Sequence, residues 1–153
     1  MSPQRDGYEI SDDRSRLDVW AVWRFLSRSY WSPGVPREVV ERAIAGSICF
    51  GLYAPDGSQA GFARAVTDGI TFAWIADVFV LERHRGRGLG TWLVESVLDH
   101  PGLRDVRTVL LATADAHGLY ERLGFQPFDE PDRWLRRWRR PEWLSVTEEP
   151  PRS

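Results

Sequence analysis

The run of residues from Ile70 to Leu81 constrains the fold more than any other part of the chain. It is apolar almost throughout, which is typical of a central strand buried on both faces of a sheet. A turn rich in glycine and arginine follows it, and apolar residues from Leu89 to Val97 then recur at helical spacing. The sequence therefore predicts a strand, a glycine turn and a helix in direct succession.

The residues ahead of this unit predict two helices and a hairpin. Apolar positions at helical spacing indicate a first helix over 17–30, and Pro36 begins a second that ends near Gly46. Two short β-type runs at 47–54 and 59–67 are joined by Pro, Asp, Gly and Ser, which favours an antiparallel hairpin. Two helices are thus expected before the sheet.

The residues after this unit complete one domain. They predict a buried strand at 106–113, a short helix at 115–124 and a last strand, near a sheet edge, at 132–138. No repeat or long linker divides the chain, so residues 1–144 are expected to form a single domain of α/β (α+β) class. Residues 145–153 are expected to be a disordered tail.

The glycine turn has the composition of an anion site. The first turn of a helix offers unpaired N–H groups and the positive end of the helix dipole, and glycines allow an anion to come close. A P-loop is excluded because no Gly-Lys pair occurs in the chain. Gly86, Gly88 and Gly90 follow G-x-G-x-G, which does not match the dinucleotide pattern G-x-G-x-x-G.

Two motifs resemble those of the GNAT N-acetyltransferase superfamily. The first is R-x-x-G-x-G, filled by Arg85, Gly88 and Gly90 after the apolar run. The second is LYERLGF, from Leu119 to Phe125, which is similar to the family's short helix followed by Gly-Phe. One helix and one strand separate the motifs, as in the family. The resemblance implies a mixed, mostly antiparallel sheet of about six to seven strands, about four helices and a V-shaped cofactor cleft beside the central strand.

The resemblance also implies acetyl-CoA as co-substrate, without a metal. The pyrophosphate would lie on the glycine turn, at Arg85, Gly86, Arg87, Gly88, Leu89 and Gly90. The pantetheine arm would pair with the main chain of Val78, Phe79 and Val80. Thr113 stands where many family members have an asparagine that bonds the cofactor, so this chain departs from the family in the placement of that arm.

Three residues are candidates for proton handling in the direct transfer to an amine that the resemblance implies. Tyr120 occupies the position of the family's proton donor, although a tyrosine on this helix could also serve only to pack the core. Asp77 is the one ionisable side chain in an apolar strand, so it either accepts the amine's proton through water, binds a cationic substrate, or is held by backbone or arginine. His117, one helical turn before Tyr120, is either a base or a hydrogen-bonding group.

The loop after the first predicted helix supplies the candidate substrate residues. Tyr30 and Trp31 lie where the family frames its amine, and aromatic rings could enclose an apolar or cationic group. The alternative for both is packing against the sheet. The resulting hypothesis is an N-acetyltransferase that acts on a primary amine of a small molecule or peptide. The alternative is a non-catalytic module that binds acyl-CoA as a sensor.

Composition excludes several other classes. The net charge of −2 argues against a nucleic-acid binder, although arginines and tryptophans interleave at 133–143 as in stacking proteins. A single cysteine, Cys49, lies in an apolar run and is expected to be an inert buried thiol. Three scattered histidines favour no metal site, and no stretch resembles a signal peptide or membrane span. A cytosolic protein without a membrane or nucleic-acid partner is expected, and a homodimer is compatible with the sequence.

Overall fold

The protein forms a six-stranded mixed sheet flanked by four helices. The computed structural model describes residues 4–144. The strands lie in chain order across one sheet: β1 (Gln4–Arg5), β2 (Tyr8–Ser11), β3 (Ile48–Tyr53), β4 (Gln59–Thr67), β5 (Phe72–Val80) and β6 (Thr108–Leu110). The helices are α1 (Val19–Leu26), α2 (Arg37–Ala45), α3 (Leu89–Asp99) and α4 (His117–Arg122). The predicted fold class is confirmed.

The helices begin and end where local chemistry favours it. The Asp18 side chain caps α1 by accepting a hydrogen bond from the Ala21 N–H at 3.0 Å. Pro36, whose ring fixes a suitable φ, precedes α2, and Gly46 ends it as predicted. Helix α1 stops at Leu26, earlier than the predicted 17–30, so residues 27–36 form a loop. No helix within residues 4–144 has the length and apolarity to cross a membrane.

Two apolar layers cover the two faces of the sheet. On one face α3 packs through Leu93 and Val97 against Leu52 and Ile75. On the other face, helices α1 and α2 enclose a second core around the fully buried Phe62. Cys49 lies in this second core, and burial raises the pKa of its thiol to about 11, as expected for an inert cysteine.

Strand β5 carries a bulge at Asp77. Phe62 of β4 pairs with Phe79 and Arg64 with Ala76, so two residues of β5 oppose one residue of β4. Asp77 has a φ of +56°, a conformation that is rare for any residue except glycine. Before the bulge, Ile75 faces the α3 layer, whereas Phe79 beyond it faces the layer of α1 and α2.

Strands β5 and β6 separate after a short contact. They run parallel over three residue pairs, from Phe72 with Thr108 to Trp74 with Leu110. Beyond Trp74, β5 continues to Val80 with β4 on one side and, within residues 4–144, no strand on the other. The sheet therefore opens into the cleft that the family resemblance implied.

Two strands expected in the last third of the chain need correction. The strand predicted at 106–113 is only β6, a half-buried sheet edge and not a buried strand. The strand predicted at 132–138 does not form. Pro131–Arg133 make a single helical turn, and the residues from 134 to 138 have no regular structure. The apolar residues of this segment do not alternate with polar ones as in a strand, and Leu135 is 95% exposed. The predicted tail at 145–153 lies outside the described residues.

One hairpin, at the start of the chain, was not predicted from the sequence. Strands β1 and β2 precede both helices, contrary to the expectation that the helices come first. Asp6 and Gly7 join the strands with φ values of 52° and 83°, the conformation that an Asp-Gly hairpin turn requires. That dipeptide was the available signal, but the flanking strands are too short to show a periodic pattern.

Candidate active site

The glycine turn leaves a row of backbone donors open. Helix α3 begins after Gly88, which has a left-handed φ of 75°, and Gly86 has a φ of 81°. Among residues 4–144, the N–H groups of residues 86–91 have no hydrogen-bond acceptor. A Cβ added to Gly86 or Gly88 would meet no atom within 4 Å, so the turn is open to a ligand. These donors and the helix dipole fit a phosphate group.

Arg85 has a different role from the glycines beside it. Its N–H donates to the Glu82 carbonyl at 3.1 Å, and its Nε donates to the Val80 carbonyl at 2.9 Å. The side chain therefore ties the end of β5 to the turn, and its own N–H is not available to a phosphate. Burial, and then the charges of Arg83 and Arg87, lower the pKa of His84. Arg83 and Arg87 thus place positive charge beside the turn.

A cavity of about 350 Å³ lies where β5 and β6 separate. It is bounded by the middle of β5, the loop after α1, the residues after β6, and α4. Six of the residues singled out from sequence line it: Tyr30, Trp31, Asp77, Val78, Thr113 and Tyr120. Residues from four distant parts of the chain therefore meet at one site.

Asp77 is held on both of its carboxylate oxygens. Oδ1 accepts a hydrogen bond from Trp31 Nε1 at 2.8 Å, and Oδ2 accepts one from Arg64 Nε at 2.6 Å. The Asp77 and Arg64 side chains are 12% and 19% exposed, so the ion pair is largely shielded from solvent. The arginine partner that the sequence left open is Arg64. The available signal was that Arg64 is the single charge in the otherwise apolar β4.

Tyr120 presents a hydroxyl group to the cavity. Burial, with smaller contributions from Tyr30 and Asp115, raises the pKa of Tyr120 to about 12. Its hydroxyl makes no hydrogen bond to any residue between 4 and 144, and its ring packs edge-on against Phe125 with a centroid distance of 5.7 Å. A protonated phenol without a protein partner is free to donate a proton or hydrogen bond to a ligand.

Tyr30 and Trp31 form one wall of the cavity. Their rings meet edge to face at a centroid distance of 5.0 Å, and the Tyr30 hydroxyl accepts a hydrogen bond from the Ala114 N–H at 3.2 Å. This bond joins the loop after α1 to the loop before α4. Both residues line the cavity and pack on each other, and a role in holding a substrate stays a prediction.

His117 and the Phe79 ring do not line this cavity, and the hydroxyl of Thr113, which does line it, already has a partner. His117 is an exposed first residue of α4 and lines an adjacent cavity of about 450 Å³ that shares Tyr120. The Phe79 ring is buried against Phe25 at a centroid distance of 4.0 Å, so only its main chain could meet a ligand. The Thr113 hydroxyl accepts a hydrogen bond from the Ala116 N–H at 3.0 Å and so supports the start of α4.

Three cavity residues were missed in the sequence. Trp74, Arg136 and Trp138 also line the space. Trp74 lies in the strand that the sequence predicts to be buried on both faces, and Arg136 and Trp138 lie in the predicted edge strand at 132–138, which does not form. Within the described part of the chain, no three side chains of His, Cys, Asp or Glu cluster to hold a metal ion.

Comparison with known proteins assigns the chain to a family. The model of the acetyltransferase (GNAT) domain matches residues 45–127, which include both motifs. A candidate acetyltransferase from Gibberella zeae is 32% identical over 151 residues, covering 84% of each chain. A crystal structure of a candidate GNAT acetyltransferase from Xanthomonas campestris pv. campestris superposes with a TM-score of 0.83 at 43% identity, covering 90% of this chain and 95% of that one.

A second crystal structure supports the same assignment at greater distance. A candidate acetyltransferase from Deinococcus radiodurans R1 has a TM-score of 0.69 at 28% identity, covering 90% of this chain and 94% of that one. The open glycine turn, the separated strands and the Tyr120 helix lie within the region that these matches cover. The chain therefore belongs to the GNAT family of acetyltransferases.

Proposed function

We propose that the protein transfers an acetyl group from acetyl-CoA directly to a primary amine. One observation carries this proposal: unpaired N–H groups at 86–91 follow the end of β5, and a cavity lined by Tyr120 lies beside the middle of the same strand. An anionic group and a reacting group can therefore be held at separate places along one strand.

The residues of the chain fit the parts of acetyl-CoA. GNAT domains use acetyl-CoA as co-substrate, which supplies the activated acetyl group. We assign the pyrophosphate to the N–H groups of residues 86–91, since they are open and unpaired. We assign the pantetheine amides to the edge of β5 beyond Trp74 that has no neighbouring strand among residues 4–144, at Val78 and at the N–H of Val80, whose carbonyl already accepts from Arg85 Nε. Because its ring is buried, Phe79 could offer only main-chain groups. At Thr113, where many family members have an asparagine, the hydroxyl already accepts a hydrogen bond from the Ala116 N–H.

Tyr120 is the proposed proton donor. In the transfer, the amine nitrogen forms a bond to the thioester carbonyl carbon, the carbon–sulfur bond breaks, and the leaving thiolate takes a proton. A tyrosine with a pKa of about 12 is protonated at neutral pH and can supply that proton or a hydrogen bond. No nucleophilic side chain is needed, because the cleft brings the two reactants together.

Asp77 and His117 are the proposed groups for the amine's proton. Asp77 lines the cavity and could receive the proton through water or hold the amine, while Trp31 and Arg64 fix its carboxylate. His117 lies on the same helix as Tyr120, at the mouth of the adjacent cavity. Substitution of each residue distinguishes between them, because a base determines the acidic side of the pH–rate profile.

The Asp77→Asn substitution is expected to lower kcat/KM more than about tenfold. It is also expected to lower the free energy of unfolding by about 1–3 kcal/mol, because Arg64 loses the partner of a largely buried ion pair. Kinetics across pH and thermal unfolding measure the two effects. A change in the acidic limb identifies a base, whereas an equal loss at every pH identifies a positioning role.

The control for Asp77 is Glu130→Gln, which removes an exposed ion pair with Arg133. An exposed pair contributes little, so stability and turnover should stay close to those of the unmodified protein. A normal pH–rate profile together with normal amine affinity in Asp77→Asn would reject both roles proposed for Asp77.

An amine panel tests the proposed function as a whole. The purified protein, acetyl-CoA and each amine are combined, free CoA is measured with a thiol reagent, and reactions without amine correct for hydrolysis. We expect amine-dependent CoA release and an acetylated product of the matching mass. Tight acetyl-CoA binding without release on any amine would instead identify the sensor. A cytosolic location and a homodimer remain predictions, which fractionation and light scattering test.

A further inference from the structure

A second cavity adjoins the 350 Å³ cavity that Asp77 lines. It has a volume of about 450 Å³, and six residues line both spaces: Trp74, Leu111, Ala112, Thr113, Tyr120 and Arg136. The Tyr120 ring stands at the boundary, because Phe125, on which it packs edge-on, lines only the second cavity. A molecule that is bound beside the Tyr120 ring therefore lies next to both spaces.

Apolar side chains form most of the wall that the second cavity does not share with the first. They include Val109, Leu110, Phe125, Phe128, Trp134 and Leu135. The side chains of His117, Glu121 and Arg136 also line this cavity, but all three residues are exposed, so their polar groups can stay hydrated beside an apolar ligand. The second cavity is therefore suited to an apolar group.

Exposed apolar side chains are concentrated at this cavity. Phe128, Trp134 and Leu135 are all exposed, and the rings of Phe128 and Trp134 stack with a centroid distance of 4.2 Å. Large apolar side chains that gather at one exposed place are typical of a binding surface. The stacking also holds the two rings in position before a ligand arrives, so this part of the wall is already formed.

We propose that the acceptor is a primary amine whose far end is an apolar alkyl or aryl group, and that the second cavity binds this apolar group. The inference rests on the proposed function and narrows its substrate class. The first cavity has to hold the thioester and the amine near Asp77 and Tyr120. The methyl group of an acetyl donor is too small to use a further 450 Å³, a volume typical of small-molecule sites, so this space remains for the acceptor.

Primary amines of increasing chain length test this inference. We would measure kcat/KM for ethylamine, butylamine and hexylamine, with phenethylamine as the aryl member of the series. From butylamine to hexylamine, kcat/KM should rise about tenfold, because burial of each methylene group contributes up to about fourfold. Hexamethylenediamine should react at least about tenfold less efficiently than hexylamine, because its second ammonium group would have to leave water.

Phe128→Ala and Phe72→Ala form a matched pair. Both remove a phenyl ring of similar exposure, 44% and 39%, but Phe72 lines neither cavity. In Phe128→Ala, the kcat/KM ratio of hexylamine to ethylamine should fall at least about fivefold, whereas Phe72→Ala should retain this ratio. Circular dichroism of both variants verifies that they are folded. If both variants lower the ratio equally, the assignment of the apolar group to the second cavity is wrong.

Two further measurements distinguish the acceptor from other occupants of the cavity. With ethylamine as acceptor, hexanoyl-CoA should not react faster than acetyl-CoA. A faster reaction that Phe128→Ala abolishes would place the acyl chain in the second cavity and overturn the inference. Light scattering of the two variants is the second measurement. A dimer that only Phe128→Ala dissociates would mean that a second copy of the chain covers these side chains, which would also overturn the inference.

The outcomes separate the inference from the function on which it rests. If amines are acetylated without a preference for the longer chains, the inference fails and the proposed function stands. If no amine reacts, the proposed function fails, and binding without acetyl-CoA then tests the cavity by itself. Hexanol should change the fluorescence of the tryptophans that line the cavity, and Phe128→Ala should weaken its binding at least about fivefold. Equal binding of hexanol to both proteins would overturn the inference.

Discussion

Replacing Tyr120 by phenylalanine is expected to lower kcat by at least about 100-fold, within the range that general acid catalysis supplies. The substitution removes the hydroxyl that faces the cavity without a protein partner and keeps the ring that packs on Phe125. The affinity for acetyl-CoA should be nearly unchanged, because the backbone donors at 86–91 are untouched. Steady-state kinetics and titration calorimetry measure the two quantities.

Tyr53→Phe is the control for this substitution. Tyr53 is also buried, its pKa is also raised to about 12, and its hydroxyl has no hydrogen-bond partner among the described residues. It does not line the cavity. Its loss should leave kcat unchanged. An unchanged kcat in Tyr120→Phe as well would remove Tyr120 from the mechanism.

The pH dependence of kcat follows from the direction in which the pKa of Tyr120 is shifted. Because burial raises its pKa to about 12, the donor form is fully present below the ordinary tyrosine value and is lost only as the pH rises towards about 12. A fall in kcat at moderately alkaline pH would therefore belong to another group. If the fall in kcat disappears in Tyr120→Phe, Tyr120 itself loses its proton at that pH, and its pKa is not raised as stated.

Gly88→Ala is expected to weaken acetyl-CoA binding at least about tenfold, since one charge-assisted hydrogen bond is sufficient for that effect. The new methyl group would stand in the open space before the N–H groups of residues 86–91. The left-handed φ of 75° should also cost about 1–2 kcal/mol of stability in any residue with a Cβ. Calorimetry and thermal unfolding measure the two losses separately.

Gly57→Ala supplies the matched comparison. Gly57 has a φ of 87°, and an added Cβ there would also meet nothing within 4 Å, but it lies in the turn between β3 and β4. Both variants should lose similar stability, and only Gly88→Ala should lose acetyl-CoA affinity. Equal affinity losses in the two variants would mean that strain, and not access to the backbone, explains the effect.

The sequence predicted best those parts that depend on local chemistry. The hairpin of β3 and β4, the glycine turn and the Tyr120 helix depend on turn residues, caps and periodic patterns that lie within a few positions of each other. Asp77 was identified as unusual for the same reason, since it is the single charge in an apolar strand.

Features that depend on distant contacts could not be predicted in the same way. The partner of Asp77 is thirteen positions away, on the neighbouring strand, and only the register of β4 and β5 brings the two residues together. Arg136 and Trp138 reach the cavity through a segment without regular structure, which has no periodic signal. The occupied hydroxyl of Thr113 likewise depends on how the chain turns into α4.

The extra residue in β5 has a consequence for insertions and deletions in this chain. With strict alternation, Ile75 and Phe79 would face the same way, yet they belong to opposite layers because the strand gains one position between them. Deleting Asp77 would remove that extra position, so Val78 would stay on the side of the α3 layer and Phe79 on the side of α1 and α2. A single missing codon there would therefore leave both halves of the interior in place and would remove the carboxylate that pairs with Arg64.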